Sequence, residues 1–452
     1  MAKENFEKNL VSGNVVKQLI MFSIPMLISN IVQSIYSVAD MMIVGQYSGP
    51  SGISAVNIGS QATFLLTNMV FGLSVGATVL IGQYIGSGEK EKLKKTVATL
   101  FTTLVYLGVI LSVIMVFLEV PLLKLIQTPA ESFKETEQYY FVTILGLIFI
   151  FIYNALSAVM RGMGNSTVPL VFVTIACGVN IVLDFLLVGA FGLGALGAAI
   201  ATVISQAVSA ILCIVYLKRI DFCFDFKFRS FGIDKESLKM ILKIGVPSSV
   251  QNVLTTVSFM FLTALVNTVG MEASAAVGVV GKFNGFAILP ALAMSNSVSA
   301  MSAQNLGAGE YKRAKKTMYV GMAIAMVISV MIFIVVRLFP EQIIKMFDDD
   351  PTMIKYGLEY ISTFSLDYLI VPIMFCLTGL FIGAGHTTYS FITGVTSSIL
   401  VRIPASYIFG IALDWGLMGM GLGAPLASLV ATVIALVLYF SGAWKKMKIV
   451  KS

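Results

Sequence analysis

Two carboxylic acids, Asp40 and Asp184, lie deep inside otherwise apolar stretches of this 452-residue chain. Each has polar company at helical spacing. Ser29, Gln33, Tyr36 and Asp40 step by four, three and four, which puts them on one helix face. Asn180 and Asp184 are four apart and share a face in the same way. A carboxylate at bilayer depth costs about 2.5–3.5 kcal/mol on insertion scales, so such groups face a polar interior and serve a function. Two of them close together in a low dielectric cannot both ionise cheaply. Such a pair either shares a proton or holds Na+ with help from the Asn180 and Thr202 oxygens. One charge moving down 100 mV yields about 2.3 kcal/mol. One pH unit adds about 1.4 kcal/mol, so the two together sustain a gradient of roughly several hundred-fold.

The elements that carry these residues place them at one level. Asp184 lies about 25 Å along a span that starts near Thr167, at 1.5 Å per residue. Thr202 lies about 12 Å into the returning span that starts near Gly194. Asp40 is near the far end of the first span. Asn57 and Gln61 share a face of the second span with Asn68, and the first two fall in the same half of the bilayer. Asp367, Lys282 and Arg402 are the other deep ionisable residues, for which a helix–helix hydrogen bond is as good an account as a transport role.

Composition requires a membrane. The chain is 57% hydrophobic and 12% charged, where soluble domains carry about a quarter charged residues. Its mean hydropathy is +0.91. Apolar blocks such as Tyr139 to Ser157 are the length of a bilayer-spanning helix. Twelve spans are expected, at 16–43, 53–80, 96–120, 138–158, 167–190, 194–217, 239–268, 275–301, 317–339, 355–381, 388–411 and 418–442. Lys and Arg alternate with them. One side receives Lys3, Lys8 and Lys17, the run Lys90, Lys92, Lys94 and Lys95, the segment from Lys218 to Lys243, Lys312 to Lys316, and Lys445 to Lys451. The other side holds acids, among them Glu131, Glu135, Glu137, Asp348, Asp349 and Asp350. This is the positive-inside pattern of an inner (plasma) membrane protein with both termini cytoplasmic. Met1 to Lys17 is polar, so no cleaved leader is expected.

The chain repeats itself. Gln83-Tyr84-Ile85-Gly86-Ser87-Gly88-Glu89 returns as Gln304-Asn305-Leu306-Gly307-Ala308-Gly309-Glu310. Gly162 and Gly164 return as Gly383 and Gly385, and Pro25 and Asn30 as Pro247 and Asn252. Six spans per copy is an even number, so the copies are parallel repeats. The expected fold is therefore all-α and integral to the membrane, with two pseudo-symmetric six-helix bundles around a central cleft. An N-terminal lobe at 1–217 and a C-terminal lobe at 238–452 are joined by a cytoplasmic linker at 218–237, the natural hinge. The counterparts of Asp40, Asn180 and Asp184 are Leu262 (or Phe261), Val401 and Ala405, so the acids belong to one half only. Residues that merely held helices together would recur in both. Pro25, Pro247, Pro290, Pro372 and Pro404 fall inside spans and suggest kinks.

Other chemistries find little support. His386 is the only histidine, and Cys177, Cys213, Cys223 and Cys376 lack metal or redox spacing, so no cofactor is expected. With no paired His and no Ser-His arrangement, an enzyme is not expected. The basic clusters flank spans without interleaved aromatics, so neither is a nucleic-acid partner.

Together these residues resemble the multidrug and toxic-compound extrusion (MATE) family. The resemblance rests on Val38-Ala39-Asp40-Met41-Met42-Ile43-Val44-Gly45, the repeated Gln-x-x-Gly-x-Gly-Glu turns, Arg161-Gly162-Met163-Gly164, and Asn180 with Asp184. It covers nearly the whole chain. It implies a twelve-helix antiporter, working as a single chain, that exports cationic amphiphilic compounds in exchange for H+ or Na+. By the resemblance Asp40, Asn180, Asp184 and Thr202 form the cation site, and Gln33, Tyr36 and Asn154 line the cavity with Asn57 and Gln61 nearby. The seventh helix has Gln251 and Asn252 but no acid, and Asp367 sits one turn early on the tenth. This departure favours the proton-coupled, DinF-type branch. A flippase for a lipid-linked oligosaccharide, which needs a basic cavity, is the alternative reading. Lys282 and Arg402 would supply only part of that cavity.

Overall fold

The computed structural model describes residues 7–220, 222–346 and 349–445. Lys3, Asp348, Lys446, Lys448 and Lys451 lie outside the described residues. Within them the chain is helical throughout. The first half holds α1 (Val15–Ser87), α2 (Lys90–Leu125), α3 (Phe133–Leu145), α4 (Leu147–Gly162), α5 (Thr167–Asp184) and α6 (Gly194–Arg219). The second holds α7 (Lys235–Asn267), α8 (Met271–Ala287), α9 (Leu289–Gly307), α10 (Tyr311–Leu338), α11 (Pro340–Lys345), α12 (Pro351–Phe364), α13 (Asp367–Gly383), α14 (Thr387–Val395), α15 (Ile403–Tyr407), α16 (Gly416–Gly421) and α17 (Gly423–Phe440).

Among the described residues nine helical stretches are long and apolar enough to cross a bilayer, and the bent pairs α3–α4 and α12–α13 bring this to eleven. The 73-residue α1 is itself two spans. Gly49 breaks it at φ 66°, ψ −160°, a region open essentially to glycine alone. That division makes the expected twelve. The fourth and tenth spans, expected as continuous helices, bend by 48° and 45° at matching places in the two halves, near Gly146 and at Ser365–Leu366. Pro372 lies inside α13, beyond its bend, whereas Pro290 and Pro404 begin α9 and α15.

By contact the chain forms two compact units. The first comprises residues 1–9 and 28–245, the second 10–27 and 246–452. In the second unit the Arg313 guanidinium donates to the Ser12 and Gly13 carbonyls at 3.0 and 2.8 Å, and the Leu10 amide donates to Gln304 Oε1 at 3.1 Å. In the first unit the segment after α6 is tied down. The Gly232 and Asp234 amides donate to Thr102 Oγ1 and Thr99 Oγ1, both at 3.0 Å. Phe224 is buried in a nest formed with Phe101, Phe226 and Phe231. Asp234 in turn accepts from the Ser237 amide at 2.8 Å at the start of α7. Those hydrogen bonds hold its carboxyl below the usual carboxylate range. A segment held this way is strapped to α2.

Duplication is visible at atomic level in the helix ends. After α1 the Glu89 amide donates to the Tyr84 carbonyl and Gly88 sits at φ 76°. After α9 the Glu310 amide donates to the Asn305 carbonyl and Gly309 sits at φ 77°. The ends of α4 and α13 repeat the motif with Gly164 at φ 80° and Gly385 at φ 78°. These are glycine caps in which the left-handed residue lets the last carbonyls find donors. A Cβ at Gly88 or Gly309 would meet open space, so a side chain there is opposed only by backbone strain. Gly88→Ala and Gly309→Ala should therefore each destabilise the protein by about 1–2 kcal/mol, and by similar amounts. Denaturation midpoints in detergent check this; a neutral result at either position would remove the cap.

Candidate functional site

The polar groups picked out on the first, fifth and sixth spans meet inside the first unit. Asp40 comes from α1, Asn180 and Asp184 from the final turns of α5, and Thr202 from α6. Tyr36 Oη lies 3.0 Å from Thr202 Oγ1, and Asn180 Nδ2 donates to the same oxygen at 3.5 Å. One hydroxyl therefore ties three helices together. The Asp40 and Asp184 carboxyls face each other within hydrogen-bond reach. Asn180 and Asp184 are fully buried and Asp40 is 6% exposed.

What the cluster lacks is donors. Asp40 Oδ1, Asn180 Oδ1 and both Asp184 oxygens are buried, and no protein N–H or O–H serves them. Buried polar atoms are normally hydrogen-bonded, so four unserved oxygens in one place form a receptor for something positive. Two carboxylates cannot bond to each other without a proton between them. An all-oxygen set also suits a hard alkali cation and not a soft metal. Either occupant would satisfy the same atoms.

Local sequence explains the enclosure. Ile43 and Val44, one turn beyond Asp40, pack with Val188, Ala195, Ala198 and Ala199 into an apolar layer. Directly after Asp184 the helix loosens into a π turn, Phe185–Ala190. Gly146, at the bend between α3 and α4, lies against Val203, beside Thr202. Tyr139 also belongs here. It is 4% exposed, its ring lies against Gly59, its hydroxyl is 3.0 Å from Ser60 Oγ, and it feels the charge of both acids. Sequence reasoning missed it, because a tyrosine at the start of a span reads as an interfacial aromatic. The adjacent small Gly59-Ser60 pair was the available signal.

The remaining polar residues do not join the acids. Gln33 is exposed on the Tyr36 face of α1. Gln61 Nε2 donates to Asn57 Oδ1 at 2.8 Å, and both side chains are exposed. Asn68 donates to the Phe64 carbonyl at 3.0 Å, and Asn154 to the Ile150 carbonyl at 2.8 Å. In the second unit Lys282 is exposed on α8, whereas Asp367 and Arg402 are buried.

The chain is 29% identical to the "Probable multidrug resistance protein YoeA" of Bacillus subtilis (strain 168), covering 96% of this chain and 95% of that one. It is 27% identical to the "Probable multidrug resistance protein YpnP" of the same organism, covering 98% of each. Among solved structures, a MOP superfamily transporter from Pyrococcus furiosus superposes with a TM-score of 0.91 at 23% identity, covering 99% of this chain and 100% of that one. The MatE family model matches twice, over residues 25–186 and 247–408, so that each window opens on one of the paired prolines. Matched over both of its repeats, this membrane-spanning chain belongs to the MatE family of multidrug and toxic-compound extrusion transporters.

Proposed function

We propose that this chain is an antiporter that moves cationic amphiphilic compounds out of the cell in exchange for H+, or for Na+ at the same oxygens. The observation that carries the reading is the pair of buried acids whose oxygens no protein group serves. With the pair unprotonated, the first unit holds excess negative charge that attracts a cation. A shared proton or bound Na+ removes that charge, and the organic cation loses its attraction. The two cations thus compete for one charge, which is the requirement for exchange by alternating access. Tyr36, bonded to Thr202, lies on the same α1 face as Asp40 and so links the charge state to the position of α1. Asp40, Asp184, Asn180 and Thr202 are the coupling residues in this reading. Gln33, Tyr36, Asn57, Gln61 and Asn154 are the substrate-facing ones, a reading supported by the exposure of Gln33, Asn57 and Gln61 in apolar spans.

The sequence supports the surrounding particulars. Alternating Lys and Arg put both termini on the cytoplasmic side of the plasma membrane. The repeats at 1–217 and 238–452 act as the two lobes of a single working chain, joined by 218–237. Paired acids in the first unit, with Gln251 and Asn252 but no acid on the seventh helix, favour the DinF-type branch and proton coupling. No covalent chemistry and no cofactor enter the cycle.

Asp40→Asn and Asp184→Asn should each lower efflux of a fluorescent cation from everted vesicles by about tenfold or more, equivalent to about 1.4 kcal/mol. If neither changes efflux, the exchange reading is wrong. In liposomes, an imposed ΔpH should drive wild-type efflux, and an imposed ΔNa+ alone should not; the reverse result assigns Na+. Thr202→Val removes the acceptor shared by Tyr36 and Asn180. It should destabilise the protein by about 1–3 kcal/mol in thermal denaturation, with Thr202→Ser restoring the wild-type midpoint.

A further inference from the structure

The second unit contains a buried cation that the mechanism above does not use. Arg402 is 8% exposed. Its Nη1 donates to Ser258 Oγ at 3.1 Å, its guanidinium stacks 4.3 Å over the Phe259 ring, and its Nε finds no acceptor. The acid whose charge Arg402 feels, Asp367, opens α13 at the bend and is 7% exposed. It is hydrogen-bonded to Ser428, and its Oδ1 accepts nothing. Asp367 and Arg402 are not in direct contact, yet they act on each other through the low-dielectric interior. Tyr360 of α12 and Tyr368 of α13 are the other ionisable groups facing them.

The register of the repeats says what Arg402 replaces. Gly164 and Gly385, both capping glycines, are 221 apart, whereas Gly194 and Gly416, both at φ 57°, are 222 apart. The second repeat has gained one residue between them. There it has two π turns, Thr396–Arg402 and Ile408–Ala412, where the first repeat has one, Phe185–Ala190. A π turn is how a helix absorbs a single inserted residue. Counting past the extra turn, Asn180 corresponds to Arg402 and Asp184 to Ser406, one residue on from the Val401 and Ala405 that the unbroken count gave. On the first helix of each repeat, Tyr36 corresponds to Ser258 and Asp40 to Leu262, the offset that also relates Pro25 to Pro247. The Arg402–Ser258 bond therefore joins the same two repeat positions that Thr202 bridges in the first unit.

We propose that Arg402 is a tethered cation: the second unit carries in its own side chain the positive charge that the first unit takes from solution. This rests on reading the Asp40–Asp184 cluster as the coupling site. The rest of the second unit agrees with it. The two acid positions have become Leu262, which is buried, and Ser406, whose hydroxyl donates to the Met420 carbonyl at 3.1 Å. A charge fixed to the backbone cannot leave, so in this reading the second unit has no ion-release step and Arg402, in place of a cation from solution, balances the Asp367 carboxylate. Arg402 thereby sets the ion stoichiometry at the single site of the first unit.

Proton uptake by the purified full chain in detergent, on acidification from about pH 8 to about pH 6, reads this directly. Arg402→Met should take up about one proton more per molecule than wild type, because Asp367 then loses its balancing charge. Arg402→Lys, and the double variant Arg402→Met with Asp367→Asn, should show no excess. A folded Arg402→Met protein with wild-type uptake overturns the proposal. Should that variant fail to fold, Asp367→Asn in the presence of Arg402 decides. Unchanged uptake supports the tethered cation, and a loss of about one proton overturns it. Asp184→Asn, measured alongside, should lower uptake. If it does not, the first-unit reading fails while the Arg402 comparison, taken as a difference, still stands.

Discussion

The first unit is organised around two carboxyl groups that face each other, three of whose oxygens are buried and served by no protein donor. Asp40 and Asp184 sit on separate helices, closed over by Ile43, Val44, Val188 and the alanines of α6. In water the pair would be hydrated and unremarkable. In this enclosure buried oxygens without a donor carry a desolvation cost that a proton or a hard cation would relieve. Thr202 adds the mechanical half, because its hydroxyl holds both the tyrosine one turn before Asp40 and the amide one turn before Asp184.

Duplication supplied the scaffold, and divergence supplied the function. The helix ends at Gly88 and Gly309, and at Gly164 and Gly385, are copies down to their hydrogen bonds. They lie at the edges of the spans, where backbone geometry leaves little freedom. The deep positions differ, because there the choice is chemical: acids and amides in one unit, a guanidinium, a leucine and a serine in the other. A helix tolerates such exchanges as long as volume and hydrogen bonding close locally, as they do at Ser406.

Much of this was legible in the sequence, for identifiable reasons. Side chains three and four apart share a helix face wherever the helix runs, so the Gln33–Tyr36–Asp40 and Asn180–Asp184 stripes needed no fold to be recognised. Span count and repeat spacing followed from apolar runs and recurring glycines. Three things were not legible. The π turn at Thr396–Arg402 shifts the register by one, and no residue type announces it, so Arg402 was left as an isolated deep base. Tyr139 reaches the acids only because α3 crosses α1 at Gly59, a tertiary fact. The charge of the 218–237 segment was legible, but not that its Phe224 and Phe226 pack on Phe101 of α2. Asn57, Gln61 and Asn154 were correctly placed on helices, but spacing alone could not say that they would bond along their own helix.

The assignment of residues 10–27 to the second unit has a consequence for how the protein is made. Leu10 bonds to Gln304, and Leu19 and Phe22 share a core with Met301, Met318 and Trp444. Gln304 follows Leu10 by 294 residues in the chain. At about 5–20 residues per second, residues 10–27 wait on the order of tens of seconds for these neighbours to exist. During that interval its apolar face must be sheltered by lipid or by the insertion machinery. Residues 10–27 are thus among the last to reach their final surroundings, and biogenesis of the second bundle closes around a piece synthesised well before it.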